Sequence, residues 1–247
     1  MTADPVHSYL TRTATLLARL AEQQAEQIDR AGEIVARTLL ADGLVHVFGS
    51  GHSHLLALEG FYRAGGLAAV DPILLESLML HGNAVLSTTL ERSDGLGAGI
   101  LEDLAPQASD CLIVVSNSGG NRVAVELAEA ARARGLGVVA IVSRAHAESA
   151  GALQAGRASL LGVADVVLDN LGEPGDASVQ LDGVPTRMGP TSTVLGAALV
   201  HAISIAAAAR VVAAGEQPPV FTSSNVAGGD ELNAATIARY RGRVRAL

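Results

Sequence analysis

The sequence predicts an α/β protein with a parallel sheet and helices on both of its faces. Short apolar segments rich in Val and Ile alternate along the chain with helical stretches of about 10–15 residues, which is typical of βαβ units with right-handed crossovers. Hydrophobic residues make up 49% of the 247 residues, but aromatic residues only 2%. Ala and Val replace the aromatic residues, and they suit helices packed closely on a buried parallel sheet.

A long amphipathic helix is predicted first. Residues 6–41 carry apolar side chains at a broadly helical spacing among charged ones, and the pattern ends near Asp42 and Gly43. Strand, tight loop and helix then follow twice in the same arrangement. The predicted elements after the long helix are strand 44–48, loop 49–53, helix 54–64, a weaker strand 67–70, strand 110–115, loop 116–121, helix 123–134 and strands 138–142 and 163–168.

Residues 71–94 are ambiguous, because they combine a helical pattern at 73–80 with a strand pattern at 84–90. Residues 172–190 are rich in Gly, Asp and Pro and predict a loop. The last predicted elements are an Ala-rich helix at 194–214 and a polar helix that begins near Asp230.

A chain of 247 residues fits one compact domain with a helical extension. We expect a leading helix at residues 1–43 that packs on the core or on a partner subunit. The α/β domain is expected at 44–215, followed by a tail and helix at 216–247.

Composition argues against several classes of protein. The net charge of −8 and the isoelectric point near 5.3 do not suit a nucleic-acid partner. Three Phe, three Tyr and no Trp offer no platform on which bases would stack. Cys111 is the only Cys and lies in an apolar run, so a buried thiol in a reducing compartment is expected rather than a disulfide or a catalytic Cys.

Residues 194–214 are apolar and nearly long enough to span a bilayer. His201 and Arg210 interrupt them, and their apolar content is largely Ala. We therefore expect a core or subunit-interface helix and no membrane association. The amino terminus lacks the cationic and apolar regions of a secretory signal, so a cytoplasmic location is expected.

Residues 116–121, Ser-Asn-Ser-Gly-Gly-Asn, lie between a predicted strand and a predicted helix. The glycines allow close approach of the backbone, the polar side chains supply donors, and the helix N-terminus offers unpaired N–H groups to an anion. This pattern favours phosphate binding. A helix-capping turn without a ligand is the alternative for one such loop.

Residues 49–54, Gly-Ser-Gly-His-Ser-His, follow the first predicted strand in the same way. A dinucleotide fingerprint is one interpretation, because Asp71 lies about 20 residues further on, where a ribose-binding acid belongs. His54 stands in place of the third glycine, which leaves NAD binding as a minor alternative. No Gly-Lys-Ser/Thr occurs, so a P-loop is excluded.

Four segments in this order resemble the sugar isomerase (SIS) domain family. They are Val-Phe-Gly-Ser-Gly-His-Ser (47–53), Ile-Val-Val-Ser-Asn-Ser-Gly-Gly-Asn (113–121), Ala-Asp-Val-Val-Leu (164–168) and Thr-Ser-Thr (191–193). The resemblance covers residues 44–215 and is nearest to proteins grouped with phosphoheptose isomerases and N-acetylmuramic acid 6-phosphate etherases. It implies a flavodoxin-like five-stranded parallel sheet, phosphosugar binding, and a homodimer or homotetramer with sites near subunit boundaries.

The resemblance also implies the binding residues. Matched position by position, the family's motifs place the phosphate and the sugar against three groups of side chains and backbone. These are Ser50, Gly51, His52 and Ser53; Ser116, Asn117, Ser118, Gly119 and Asn121; and Thr191, Ser192 and Thr193.

Acid and base groups are the point at which the sequence departs from the family. The heptose isomerases and the etherases carry a glutamate on the helix after the first loop, and Arg63 occupies that place here. Glu59, one turn earlier, is the nearest substitute. His201 lies on the helix after the Thr-Ser-Thr cluster, near the position of a histidine in the heptose isomerases. We expect Glu59 and His201 as the catalytic pair, although each also fits an ordinary paired or core residue.

Other polar residues carry less information. His52, His54 and His81 lack the i, i+4 spacing of a helical metal site, so neither a metal nor another cofactor is expected. Glu76, His81 and Glu91 fall in the ambiguous segment. Asp169 and Asn170 follow a strand and would bind sugar hydroxyls or cap a turn.

The sequence thus favours an enzyme that isomerises an aldose phosphate and a ketose phosphate through an enediol. A phosphosugar sensor without catalysis and an etherase or lyase acting on an amino-sugar phosphate are the alternatives. An NAD-binding protein is the more distant one.

Overall fold

A computed structural model describes residues 4–149 and 158–247. Five parallel strands form one sheet in the order β2-β1-β3-β4-β5, and helices cover both faces. The strands are Val45–Gly49 (β1), Val70–Ile73 (β2), Cys111–Val115 (β3), Gly137–Val142 (β4) and Val166–Asp169 (β5). The predicted α/β class with its five-stranded parallel sheet and leading helix is confirmed.

Helices connect these strands and extend the chain at both ends. Those of the described residues are Pro5–Gln23 (α1), Ala25–Leu40 (α2), His54–Gly60 (α3), Leu80–Leu90 (α4), Leu96–Leu104 (α5), Arg122–Ala133 (α6), Arg144–Ala147 (α7), Leu160–Val163 (α8), Ser192–Ala213 (α9) and Gly229–Tyr240 (α10). Ala177–Val179 (β6) and Met188–Pro190 (β7) pair as an antiparallel ribbon.

Two hydrophobic cores lie on the two faces of the sheet. The first core packs the sheet against α2, α3 and α9, and the second packs it against α5 and α6. Val47 belongs to the first core and Phe48 to the second, because successive side chains of a strand point to opposite faces. Cys111 is buried in the first core as predicted, and this burial raises the pKa of its thiol to about 12.

The leading helical region is divided at Gln24, where the sequence alone predicts one continuous helix. Gln24 has φ −110° and ψ 4°, outside the helical range, and its side-chain oxygen accepts a hydrogen bond of 2.9 Å from the N–H of Asp169. The break thus anchors the helices to the end of β5. Beyond it α2 lies very close to α9, since a Cβ added at Gly32 would stand 2.6 Å from the Cβ of Ala206.

The structure resolves the ambiguous segment and corrects the strand pattern at 84–90. These residues belong to α4, because the side-chain oxygen of Asn83 accepts a hydrogen bond from the N–H of Leu86 and begins a new helical turn. The hydroxyl groups of Thr88 and Thr89 donate to carbonyl oxygens four residues earlier, so these β-branched residues are accommodated in a helix.

Three further elements differ from the sequence prediction. The second strand lies at Val70–Ile73 rather than at 67–70, helix α5 was not predicted, and the predicted loop at 172–190 contains β6 and β7. Asp71 and Pro72 interrupt the apolar pattern of β2. Pro72 is tolerated because β2 is an edge strand.

The carboxyl-terminal tail packs on the same body as the sheet. Phe221, Tyr240 and Val244 belong to the first core, and Val220 forms an antiparallel bridge with Leu67. The boundaries at residues 43 and 215 remain predictions, and residues 1–3 of the leading part lie outside the described residues.

Helix α9 is, by length and composition, the one helix among residues 4–149 and 158–247 that is apolar enough to cross a membrane. One side of it is buried in the first core through residues such as Leu195, Leu199 and Ile203. The other side exposes Ile205 and Val212. The predicted core helix is therefore present, with an uncovered apolar face.

A buried row of three ionisable side chains lies beside the sheet near its amino end. His46 of β1 stands between two carboxylates, 3.0 Å from Asp71 and 3.2 Å from Asp110. All three residues are buried. Burial alone would lower the pKa of His46, but the hydrogen bonds to Asp110 and Asp71 outweigh it and raise that pKa above its usual value.

Main-chain groups complete this row. Asp110 accepts hydrogen bonds of 2.7 Å from the N–H groups of Leu44 and Gln107, and Asp71 accepts one of 3.0 Å from the N–H of Arg245. Burial would raise the pKa of Asp110, but the hydrogen bonds from His46, Leu44 and Gln107 lower it. Through the N–H of Arg245, this buried row therefore ties the carboxyl-terminal tail to the edge strand β2.

The raised pKa of His46 predicts a stability that depends on pH. A group whose pKa rises on folding stabilises the folded state fully below its unfolded pKa of about 6.5, and this stabilisation is lost as pH rises through the folded pKa. We expect the free energy of unfolding to fall as pH rises from about 6.5 to the folded pKa, and the melting temperature to fall with it. Each pKa unit by which folding raises the pKa of His46 is worth about 1.4 kcal/mol. Thermal unfolding across this range measures the slope.

His46→Gln is expected to flatten this slope, whatever its effect on the melting temperature itself. The exposed His7 provides a matched control, since His7→Gln leaves the buried row intact. An unchanged slope in His46→Gln would show that the row does not set the pH dependence.

Candidate functional site

The carboxyl ends of all five strands meet at one edge of the sheet, because the strands are parallel. The chain leaves this edge through residues 50–53 after β1 and through residues 116–121, which we call the glycine loop, after β3. The strand order reverses between β1 and β3, and α/β sheets bind ligands at such a point. The two predicted binding loops therefore flank one place.

The glycine loop turns the chain sharply from β3 into α6. Gly119 has φ +63°, and a Cβ there would already touch Val142 and Ala147 at 3.4 and 3.5 Å. The N–H of Gly119 donates to the carbonyl of Ser116 at 2.9 Å and closes the turn. Asn121 stands at the N-cap of α6, and in the described part of the chain its side chain makes no capping hydrogen bond. The N-terminus of a twelve-residue helix therefore opens on this loop without a side-chain cap.

Ser116 carries the most informative atom of the loop. Its side chain is buried, and its hydroxyl oxygen has no hydrogen-bond partner within residues 4–149 and 158–247. Leaving a buried polar group unpaired costs about 1–3 kcal/mol, so folded proteins keep few of them. An oxyanion held by the loop would accept the hydrogen bond that this hydroxyl lacks.

Other polar residues of this edge hold the loops to one another. The side-chain oxygen of Asn117 accepts a hydrogen bond of 2.9 Å from the amide of Asn170, and its carbonyl accepts one of 3.0 Å from the N–H of Ser143. One carboxylate oxygen of Asp169 accepts from the N–H groups of Leu171 and Arg144. The contacts of Asp169 and Asn170 are thus those of turn residues.

Residues 50–53, the first loop, bind a carboxylate whose position the sequence does not predict. The hydroxyl of Ser50 donates a hydrogen bond of 2.7 Å to Oε2 of Glu91, which follows the last residue of α4. The carbonyl of Glu91 accepts a hydrogen bond from the N–H of Val123, in the first turn of α6. Glu91 therefore lies between the first loop and the helix that begins at the glycine loop, and its side chain is half-buried.

The remaining residues of the first loop are less enclosed. Gly51 has φ +55°, His52 is exposed and Ser53 is half-buried. They remain predictions as ligand-binding residues.

The Thr-Ser-Thr cluster makes a contact of a different kind. Asp176 accepts hydrogen bonds from the N–H groups of Thr191 and Ser192 at 3.2 and 2.9 Å, and from the hydroxyl of Ser192. A carboxylate of the chain itself thus stands at the N-terminus of α9, where an anion is favoured. Ligand binding by Thr191, Ser192 and Thr193 remains a prediction.

The predicted catalytic pair lies in direct contact. Nε2 of His201 on α9 stands 3.0 Å from Oε1 of Glu59 on α3, and both side chains are about one-third exposed. Glu59 lies five residues into α3, which is about 7–8 Å along the helix from the first loop. The pair is on the side of the sheet occupied by α3 and α9, and α6 is on the other side.

Arg63 also reaches Glu59, although it lies beyond the end of α3 at Gly60. The hydrogen bond from His201 and the nearby Arg63 guanidinium lower the pKa of Glu59 below its usual range, against a smaller opposing effect of burial. Glu59 is therefore ionised at neutral pH and can accept a proton but not donate one.

Two sequence alternatives can be compared with the structure. The histidine rings of residues 54 and 81 are 6.3 Å apart, and across the described ranges 4–149 and 158–247 no three His, Cys, Asp or Glu side chains gather as metal ligands would. Asp71, the acid that a dinucleotide site would use for a ribose, is buried against His46 instead. Glu76 and His81 are exposed.

Comparison with known proteins places the chain among related sequences. A family model described as SIS domain matches residues 8–143. A UPF0309 protein from Brucella anthropi is 42% identical over 234 residues, which cover 95% of this chain and 93% of that protein. A UPF0309 protein from Brucella canis is 40% identical over 235 residues, covering 95% and 96%.

Two solved structures share the fold. A phosphoheptose isomerase from Francisella tularensis has a TM-score of 0.54 and 17% sequence identity, covering 84% of this chain and 98% of that one. A phosphoheptose isomerase from Neisseria gonorrhoeae has a TM-score of 0.51 and 18% identity, covering 81% and 95%.

The unpaired hydroxyl of Ser116 predicts an unusual result for a buried serine. Ser116→Ala removes the hydroxyl and with it the cost of burying a polar group that has no partner. The variant is therefore expected to keep the free energy of unfolding or to raise it by up to about 1 kcal/mol. Ser87 is a matched control, because it is also buried but donates a hydrogen bond of 2.8 Å to the carbonyl of Leu78. Ser87→Ala is expected to lose about 1–3 kcal/mol. Urea unfolding measures both, and an equal loss in the two variants would mean that Ser116 is paired.

Proposed function

This chain belongs to the SIS-domain family, and from that membership we propose that it binds a sugar phosphate at the carboxyl edge of its sheet and isomerises it between an aldose and a ketose form. The buried hydroxyl of Ser116 at the glycine loop, which has no hydrogen-bond partner among the described residues, carries the proposal. It supplies a donor for an oxyanion at the place where the helix N-terminus favours negative charge.

The phosphate group is proposed to lie in the glycine loop. Ser116 and Ser118 are proposed to supply hydroxyl donors, Gly119 and Asn121 to shape the turn, and the N-terminal end of the α6 dipole to favour the anion. The N–H of Val123 in the first turn of α6 is bonded to the carbonyl of Glu91 and is not counted among these donors. Asn117 fixes the loop through Asn170. No Lys or Arg side chain is needed, because charge-assisted hydrogen bonds to backbone N–H groups bind an oxyanion by themselves.

The sugar is proposed to extend from this loop past Ser50 toward the acid and base groups. Isomerisation removes the proton on C2 of the open-chain aldose while the C1 carbonyl oxygen takes a proton, which gives the enediol. A proton is then delivered to C1, the hydroxyl on C2 loses its proton, and the ketose forms. The enzyme needs one group that accepts the carbon-bound proton and one that exchanges a proton with oxygen.

Glu59 and His201 are proposed for these two roles. The ionised Glu59 accepts the proton from carbon, and His201, which lies 3.0 Å from it, exchanges the proton on oxygen. Glu91 is a second carboxylate in the same site, and its hydrogen bond to Ser50 puts it nearer to the glycine loop. The two carboxylates make different predictions for mutagenesis.

The pair on α3 and α9 lies beside exposed apolar side chains. Leu55 and Leu58 on α3, and Ile205 on α9 one turn from His201, are each exposed by more than one-third. Apolar surface of this kind is typical of a protein interface. We therefore propose a homodimer or homotetramer in which the Glu59 and His201 pair lies close to the subunit boundary. We also propose that the protein acts in the cytoplasm.

A sensor that binds the same ligand without catalysis is the second candidate. The low pKa of Glu59 favours it, since a carboxylate that both His201 and Arg63 stabilise is a weak base. Proton exchange on a bound ligand separates the two functions.

Ligand binding is expected to raise the melting temperature. At a free concentration about 100 times Kd, a ligand adds about 2.7 kcal/mol, and each kcal/mol is worth about 2–4 °C in a protein of this size. Fructose 6-phosphate, sedoheptulose 7-phosphate and N-acetylglucosamine 6-phosphate are suitable probes, with fructose as the control without phosphate. Ser116→Ala and Ser118→Ala are expected to lose most of the shift. Ser204→Ala on α9, whose hydroxyl donates to the carbonyl of Val200, is expected to keep it. The absence of a shift with every phosphorylated probe would remove the proposed ligand class.

Catalysis is expected to appear as exchange of the C2 proton of a bound aldose phosphate with deuterium from solvent, followed by NMR. Glu59→Gln and His201→Ala are each expected to slow the exchange by about 100-fold or more. Glu91→Gln is compared in the same assay. Full exchange in the first two variants and its loss in Glu91→Gln would transfer the base to Glu91, and bound ligand without any exchange in the wild type would favour the sensor.

A further inference from the structure

The segment of residues 91–97 comprises the connection from α4 to α5 and the first two residues of α5. Two charged side chains hold it on the first turns of α6. Oε1 of Glu126 accepts a hydrogen bond of 2.9 Å from the N–H of Gly95, and Oε2 accepts one of 3.2 Å from the N–H of Gly97. Nε of Arg122 stands 2.8 Å from Asp94 and 3.0 Å from Glu126. The segment therefore meets α6 through both side chains.

The two elements approach each other more closely than side chains would allow. A Cβ added at Gly97 would lie 2.3 Å from the carbonyl oxygen of Val123 and 2.7 Å from the Cβ of Glu126. Gly95 has φ +80°, which a residue with a side chain rarely adopts. The backbone of the segment is thus in close contact with α6 at Gly97, and Gly95 serves the turn that leads into this contact.

Glu126 is an unusual residue for this position. Its side chain is only 9% exposed, and a buried carboxylate is costly unless each oxygen has donors. Here the two glycine N–H groups and Arg122 supply them. Because Gly95 and Gly97 lie at the N-terminus of α5, Glu126 also caps that helix from a neighbouring one.

The consequence of this contact reaches Glu91. Glu91 is the first residue of this segment. Its carbonyl accepts a hydrogen bond from the N–H of Val123, and its carboxylate accepts one from the hydroxyl of Ser50. Glu91 is therefore fixed at its main chain by α6 and at its side chain by the first loop. Neither Arg122 nor Glu126 belongs to the glycine loop itself.

We propose that Arg122 and Glu126 are positioning residues that hold the carboxylate of Glu91 against Ser50 at the edge of the glycine loop. The proposal rests on the proposed function and takes Glu91 to support proton exchange on the bound sugar phosphate beside Glu59 and His201. It assigns Arg122 to the segment of residues 91–97 and not to the phosphate, since its guanidinium already bonds Asp94 and Glu126.

Glu126→Gln tests the proposal, because glutamine keeps the size of the side chain and removes the charge. Arg122→Gln is the milder variant, since Arg122 is about one-third exposed. Glu129→Gln, an exposed residue of the same helix, is the matched control. In the ligand-free protein, hydrogen exchange at the Val123 amide is expected to speed up about tenfold or more in the two test variants and to stay unchanged in the control.

The second measurement is made with fructose 6-phosphate. Its affinity is expected to stay within about twofold of the wild type in both test variants, whereas the rate of proton exchange on the bound sugar falls about tenfold or more. Unchanged proton exchange together with unchanged affinity would overturn the positioning role. A loss of affinity in Arg122→Gln alone would also overturn it, because Arg122 would then contact the phosphate directly.

Failure of the proposed function is distinguishable from failure of this inference. If the wild type neither binds nor processes any sugar phosphate, the proposed function fails. The positioning of Glu91 is then tested by hydrogen exchange at the Val123 amide alone. Faster exchange in Glu126→Gln than in the wild type supports the inference, and unchanged exchange overturns it.

Discussion

The parallel arrangement of the five strands is the constraint on which the rest of the molecule depends. Because every strand runs in the same direction, all carboxyl ends lie at one edge, and each crossover helix begins there with its unpaired N–H groups. Residues that are distant in the chain, such as Ser50, Glu91 and Ser116, are brought to this edge by topology. The polar side chains between them then fix the loops, as Asn117 and Asn170 do.

Electrostatics follows from the same arrangement. The chain has a net charge of −8, yet the proposed ligand is an anion. The two are compatible because donors at a helix terminus act over a few ångströms, whereas exposed charges further away are screened by salt within about 10 Å. The buried hydrogen-bonded row of His46, Asp71 and Asp110 lies near the opposite edge of the sheet.

The sequence was sufficient for elements whose local pattern agrees with their final surroundings. Strands β3 and β4 are buried on both faces and appear as continuous apolar runs, and the glycine loop has the turn residues that its geometry requires.

The sequence misplaces strand β2, because Asp71 belongs to the buried row with His46 and Pro72 lies on an edge strand, so neither residue matches the apolar pattern. The helical state of residues 84–90 depends on a side-chain cap at Asn83 that periodicity does not reveal. Nothing local in the ambiguous segment 71–94 shows that Glu91 meets Ser50, because this contact joins residues 41 positions apart in the chain. The sequence predicts catalytic roles for Glu59 and His201 but not their contact. The two residues are 142 positions apart, so the contact depends on tertiary packing.

The buried Cys111 has a practical consequence for spectroscopy. A thiol whose pKa is raised to about 12 and which is enclosed in the first core is almost wholly protonated at neutral pH, and the thiolate is the form that reacts with maleimides and iodoacetamides. A new cysteine at an exposed position would therefore be the single reactive thiol of the chain, without prior removal of the natural one. Two such cysteines, each carrying a spin label or a fluorophore, would report the distance between the first loop and α4 in an otherwise native protein.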